Sequence, residues 1–152
     1  MLFRSGVRNG AVKPDVSTVA SFKSAMVAAR AVAYSKAGAS GIYFAQLIER
    51  LGIAEAVNAR AVIIPMGFTA EKVASGEADI AIQQISELMS IAGIDVAGPF
   101  PADIQAVTTF DAAVFTDAVN PEGAAAFLQA LTSPAAATAY VNGGLISRLA
   151  TR

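Results

Sequence analysis

Tyr34-Ser35-Lys36-Ala37-Gly38-Ala39-Ser40-Gly41 is the stretch of this chain best suited to chemistry. Small residues there link an apolar run to the start of a helical pattern. Such a loop lets a ligand approach bare backbone N–H groups, which carry partial positive charge at a helix start. The chemistry would be capture of an anion or a carbonyl oxygen, with Ser40 and Gly41 as donors. The alternative is a tight strand-to-helix turn with Ser40 as an ordinary N-cap. Thr69 offers the same pair of readings, a second set of donors or a plain N-cap. Gln83 and Gln84 end an apolar run, and side-chain amides both donate and accept. Strand side chains alternate in direction, so at most one of the two faces a ligand.

Other reactive types lack the company they need. Glu77 and Asp79 flank a turn and read as solvated; nothing suggests the shared cleft that paired-carboxylate chemistry requires. Ser35, Lys36 and Ser40 do not make a serine–lysine hydrolase, which needs a desolvated lysine beside the serine. Tyr34 reads as packing with its hydroxyl at the surface. Histidine and cysteine are both absent. That removes the usual general base, the commonest metal ligand, disulfides and thiolate chemistry. The expectation is a non-enzyme with no cofactor and no metal.

The elements that would position these residues follow from apolar spacing. Residues 1–16 read as extended, with a turn at Lys13-Pro14-Asp15. Ser17 or Thr18 caps a helix to about Ala29, with Val19, Phe22, Met26 and Ala29 on one face. Arg30 to Ser35 reads as a strand. Phe44, Leu47, Ile48 and Leu51 define a helix over 41–51 that stops at Gly52. Ala61-Val62-Ile63-Ile64 reads as a buried parallel strand. Met66-Gly67-Phe68-Thr69 leads into a helix over 70–75, and Asp79 to Gln83 forms the next strand. This β-α-β-α-β order predicts parallel strands. Gln84 to Met89 reads as a short helix, and 91–105 as a Gly/Pro-rich connector. Ala106 to Phe115 reads as one long strand. Asn120-Pro121 and Ser133-Pro134 open two final helices, the second ending at Asn142-Gly143-Gly144.

Composition narrows the classes. The 152 residues are 55% hydrophobic and 15% charged, with a net charge of −1. The chain is therefore long and apolar enough for a core, and not disordered. No basic cluster is present, which argues against nucleic acid. No apolar run is long enough to span a membrane or serve as a signal peptide, which leaves the cytoplasm open as a location. Sparse surface charge suggests a homo-oligomer that hides apolar surface.

Several pieces then form an ordered set. They are Lys13-Pro14-Asp15-Val16-Ser17-Thr18, Ala37-Gly38-Ala39-Ser40-Gly41 with Glu49-Arg50-Leu51-Gly52-Ile53, Val73-Ala74-Ser75-Gly76-Glu77-Ala78-Asp79, and Ala124 to Gly143 with Leu131-Thr132-Ser133-Pro134-Ala135-Ala136. Together they resemble the molybdate-binding-protein-like branch of type 2 periplasmic solute-binding proteins, over about Val7 to Arg148. The resemblance implies an α/β fold in which an inserted lobe, with a parallel-rich sheet flanked by helices, interrupts a first lobe. The inserted lobe would be 30–105, and 1–29 with 106–152 would be a remnant of the first. The family ligand is an oxyanion held without counter-charge, by backbone N–H groups and hydroxyls at helix starts. The implied ligand-binding residues are Ala39, Ser40, Gly41, Met66, Gly67, Thr69 and Gln84. The family pattern also has an earlier segment with two serine-bearing loops, so this chain reads as an N-terminally truncated member. Gln84 stands where a family tyrosine contacts the oxyanion. The implied partners are a small anionic solute and an ABC permease, in the periplasm or outside the cell. Two other readings are a self-associating scaffold without ligand, and the effector domain of a transcription regulator. The second lacks a helix-turn-helix here.

Overall fold

The computed structural model describes residues 3–148 and resolves into two units, 3–107 and 108–148. In the first, β1 (Phe3–Arg8), β2 (Val32–Ser35), β3 (Val62–Ile64), β4 (Ile80–Gln84) and β5 (Ile94–Pro99) form one sheet in the order β3-β2-β4-β1-β5. β2 runs parallel to β3 and β4. β1 is antiparallel to both β4 and β5.

Alternation sorts the strand side chains onto two faces. Phe3, Val7, Val32, Tyr34, Ile80 and Ile82 point to one core, which they share with Phe22 and Met26 of α1 (Val19–Ala28), Phe44, Leu47 and Ile48 of α2 (Ala39–Arg50) and Val57 of α3 (Ala54–Asn58). Ala31, Ala33 and Ala81 point the other way, toward Ala70 and Val73 of α4 (Ala70–Ala74) and Leu88 of α5 (Ile85–Met89). Bulky residues face the long helices, and alanines let the short ones sit close. Each large apolar side chain so buried contributes roughly 1.5–3 kcal/mol.

Local chemistry fixes the ends. Thr18 caps α1 reciprocally: its hydroxyl accepts from the Ser21 N–H, and the Ser21 hydroxyl accepts from the Thr18 N–H. Gly52 ends α2 with φ of +68°, a conformation that glycine alone adopts freely.

Four expectations need correction. Residues 3–29 are not separate from the 30–105 sheet: β1 lies inside it, and Phe22 and Met26 fill its core. The 91–105 segment is not a simple connector, since β5 closes the sheet edge. Val62–Ile64 is parallel as expected, but it is an edge strand, and Ile63 is 47% exposed. No strand spans 106–115; the segment makes a single bridge at Val107 and no continuous ladder.

The 108–148 unit holds α6 (Pro121–Leu131) and α7 (Pro134–Asn142). Asn120 accepts from the Gly123 N–H at 2.8 Å, and Ser133 from the Ala136 N–H at 3.2 Å, so both cap-then-proline starts form as the sequence predicts. The Tyr140 hydroxyl ties the helices by donating to the Leu131 carbonyl.

Candidate functional site

Parallel β2, β3 and β4 end at Ser35, Ile64 and Gln84, so their following loops emerge at one edge of the sheet. Ligands of open α/β sheets gather at that carboxyl edge. The edge collects Ala39 to Gly41, Met66 to Thr69, and Gln84. Antiparallel β1 and β5 bring Phe3, Arg4 and Pro99 to it from the other side.

Ala39, Ser40 and Gly41 are the first three residues of α2. Gly38 is the N-cap, and no side chain caps the helix. Ile42 makes the first intrahelical bond, to the Gly38 carbonyl at 2.9 Å. The three preceding N–H groups have no place in the ladder and carry the positive end of the helix dipole. Ser40 is therefore not an N-cap; it is buried one position inside the helix. Gly41 is buried against the end of β2, where a Cβ would overlap the Ser35 carbonyl oxygen. That close approach holds the start of α2 onto the strand.

The second loop is built differently. Thr69 is fully buried, and its N–H donates to Gln83 Oε1 at 2.9 Å. Its hydroxyl lies 2.9 Å from the same oxygen and 3.2 Å from the Ile82 carbonyl, and its one proton serves one of them at a time. Gln83 Nε2 donates to the Gly67 carbonyl. Thr69 thus neither caps α4 through its side chain nor presents a donor outward, because Gln83 engages both of its groups. Gln83 clasps the loop instead. Gly67 turns with φ of +100°, and Met66 beside it is 78% exposed. Gln84 is half-buried at the start of α5, where its N–H donates to the Glu87 carboxylate. The two glutamines diverge as alternation requires. Gln83 stands opposite Arg4, and Gln84 opposite Phe3.

Gln105 completes the edge. Its amide accepts from the Phe3 N–H and donates to the Phe3 carbonyl, both at 3.1 Å, as a neighbouring strand would. Its role and that of Arg4 escape the sequence reading. The signal for Arg4 is its place in Phe3-Arg4-Ser5-Gly6-Val7, an apolar alternation with a cation in it.

A groove of about 550 Å³ lies at the opposite edge, beside Arg8, Arg30 and Asp79. Its polar groups serve the fold. Asp79 accepts from the Arg30 N–H and guanidinium at 2.8 and 3.0 Å, and Arg8 donates to the Ala74 carbonyl. Tyr34 is packing, as expected, but its hydroxyl is not at the surface: it donates to Asn58 at 2.7 Å. Burial, and secondarily Glu49, pushes that phenol above its ordinary pKa. Glu77 is not merely solvated, since Ser75 and Lys72 both donate to its carboxylate. Among the described residues no cluster of acidic side chains could hold a metal, and no helix is long and apolar enough to cross a membrane.

The comparisons with known proteins give the family and the fold. Residues 6–145 match the model of the bacterial extracellular solute-binding protein family, and the chain belongs to that family. It is 39% identical over 140 residues to an aconitate isomerase from a Pseudomonas species, covering 91% of this chain and 53% of that protein. The chain thus spans about half the length of that curated relative. The periplasmic molybdate-binding protein of Azotobacter vinelandii superposes with a TM-score of 0.63 at 19% identity, over 96% of this chain and 65% of that one. A periplasmic thiamin-binding protein superposes at 0.61 with 15% identity, over 99% and 52%. The type 2 periplasmic binding-protein fold is the one the sequence predicts.

Proposed function

We propose that this chain captures a small anionic solute at the carboxyl edge of β2, β3 and β4, outside the cytoplasmic membrane, for delivery to an ABC permease. The observation that carries this reading is the uncapped start of α2, with the N–H groups of Ala39, Ser40 and Gly41 at that edge. Donors of this kind suit an oxyanion of the molybdate type or a carboxylate. The Met66-Gly67 loop and Gln84 flank the same edge. Thr69 acts through the shape of that loop and not as a donor to ligand. Closure of a second lobe over the edge would report occupancy. Family membership and the two binding-protein folds support the reading.

Calorimetry with molybdate and with a tricarboxylate tests it. Ala39→Pro removes one donor at the exposed first position of α2, where proline is tolerated after an extended N-cap. The expected result is affinity at least about tenfold weaker with little change in melting temperature, since one charge-assisted bond contributes roughly 1.5–3 kcal/mol. Unchanged affinity would place the ligand elsewhere.

The aconitate isomerase supports a second reading, that the solute is a polycarboxylate and that the protein interconverts its isomers. NMR of cis- or trans-aconitate incubated with the protein decides it, because only an isomerase produces the other isomer.

A further inference from the structure

Arg4 is a cation for which solute capture by backbone N–H groups has no use. It stands opposite Gln83 of β4 and Pro99 of β5. Residues directly opposite in an antiparallel pair share a face, with Cβ atoms about 4.5–5.5 Å apart. Arg4 is therefore next to the Gln83–Thr69 clasp, on the α4 face and at the ligand edge.

The other arginines of the 3–107 unit all donate hydrogen bonds. Arg8 bonds the Ala74 carbonyl, Arg30 bonds Asp79, Arg50 the Tyr43 hydroxyl, and Arg60 the Val27 carbonyl. Arg4 Nη1 is sealed from water with no hydrogen-bond partner, although the residue as a whole is only half-buried. Desolvation pulls its pKa below the ordinary arginine value, but a guanidinium keeps its proton at neutral pH. An uncompensated cation in such a place costs stability. Strain of this kind is characteristic of functional sites.

We propose that Arg4 is the counter-charge of the solute site and selects a carboxylate, received bidentately by the guanidinium fork. The inference rests on the solute-capture reading above. A planar fork matches the two oxygens of a carboxylate, whereas bare N–H groups accept any oxyanion. β1 and β2 are separated by β4, two strand spacings or roughly 10 Å. Arg4 approaches the carboxyl edge from the α4 face and the start of α2 from the opposite face, so the two serve separate carboxylates of one polycarboxylate lying across the edge.

The test is calorimetry on the full chain with tricarballylate and molybdate as probes, for the wild type, Arg4→Gln and Arg4→Lys. Arg4→Gln should weaken tricarballylate binding at least thirtyfold and change molybdate binding less than threefold. Arg4→Lys, which keeps charge without the fork, should fall between. Without ligand, Arg4→Gln should melt no lower than wild type, since it removes a half-buried guanidinium whose sealed Nη1 has no partner. A lower melting temperature would make Arg4 structural and overturn the assignment. Equal tricarballylate affinity in wild type and Arg4→Gln also overturns it, while solute capture stands. Binding of molybdate alone overturns carboxylate selection. A wild type that binds neither probe removes the solute-capture reading and this inference with it.

Discussion

Gly41 of α2 lies so close to Ser35 of β2 that a side chain at Gly41 would occupy the position of the Ser35 carbonyl oxygen. The obstacle is backbone, so no rotamer relieves it. Gly38 also approaches Ser35, but there the neighbour is the serine hydroxyl. Gly41→Ala should destabilise the protein by about 1–3 kcal/mol through overpacking. Adding Ser35→Ala should rescue Gly38→Ala and leave Gly41→Ala unrescued. Urea denaturation of the four variants measures both.

The Gln83–Thr69 clasp predicts an asymmetry. Gln83→Leu strands the buried Thr69 N–H, while the Thr69 hydroxyl turns to the Ile82 carbonyl, at a cost of about 1–3 kcal/mol. Thr69→Val removes the hydroxyl but keeps the N–H bond to Gln83, so it should cost less. A double-mutant cycle should give a coupling of at least about 0.5 kcal/mol, as expected for side chains in direct contact. A vanishing coupling would show that the loop does not depend on the clasp.

Glu77 gives the stability a pH dependence. Hydrogen bonds from Ser75, then from Lys72, hold its carboxyl below the ordinary glutamate value. A carboxylate depressed in the folded state stabilises above its unfolded pKa. That stability is lost as pH falls through the folded value. The melting temperature should therefore drop below about pH 4.5, and Glu77→Gln should flatten part of that drop. The effect should shrink in high salt, because the Lys72 pair is exposed. Thermal melts between pH 3 and 7 provide the measurement.

The 108–148 unit predicts association. Neither α6 nor α7 buries a residue, and Phe110, Phe115, Phe127 and Ile146 are each at least 66% exposed. Large apolar side chains exposed in such number favour association that covers them. Light scattering should report a mass above the monomer, and Phe127→Lys should lower it. A monomeric wild type would contradict a covering second copy.

Much of this was legible from local pattern, and the failures have a common cause. Thr18, Gly52, Asn120 and Ser133 state helix ends within a few residues, and the structure honours each. Ser40 was read as a possible site because the loop before it is small. The structure places it two positions inward of the cap, since Gly38 takes the capping place. β5 was hidden because Gly98 and Pro99 read as a connector, yet an edge strand tolerates proline at its end. Thr69 looked like a free donor because Gln83, its partner, is remote in sequence and reaches it only through the fold. Arg4 drew no notice because its neighbours in β4 and β5 are set by pairing and not by spacing.

The central place of β1 also governs how the protein is made. Phe3 comes before both of its pairing partners, Gln84 of β4 and the Gln105 side chain, the latter 102 residues along the chain. The parallel trio can assemble from nearer segments, while β1 must wait with Phe3 and Val7 unburied. Folding of the sheet is therefore gated by long loop closure.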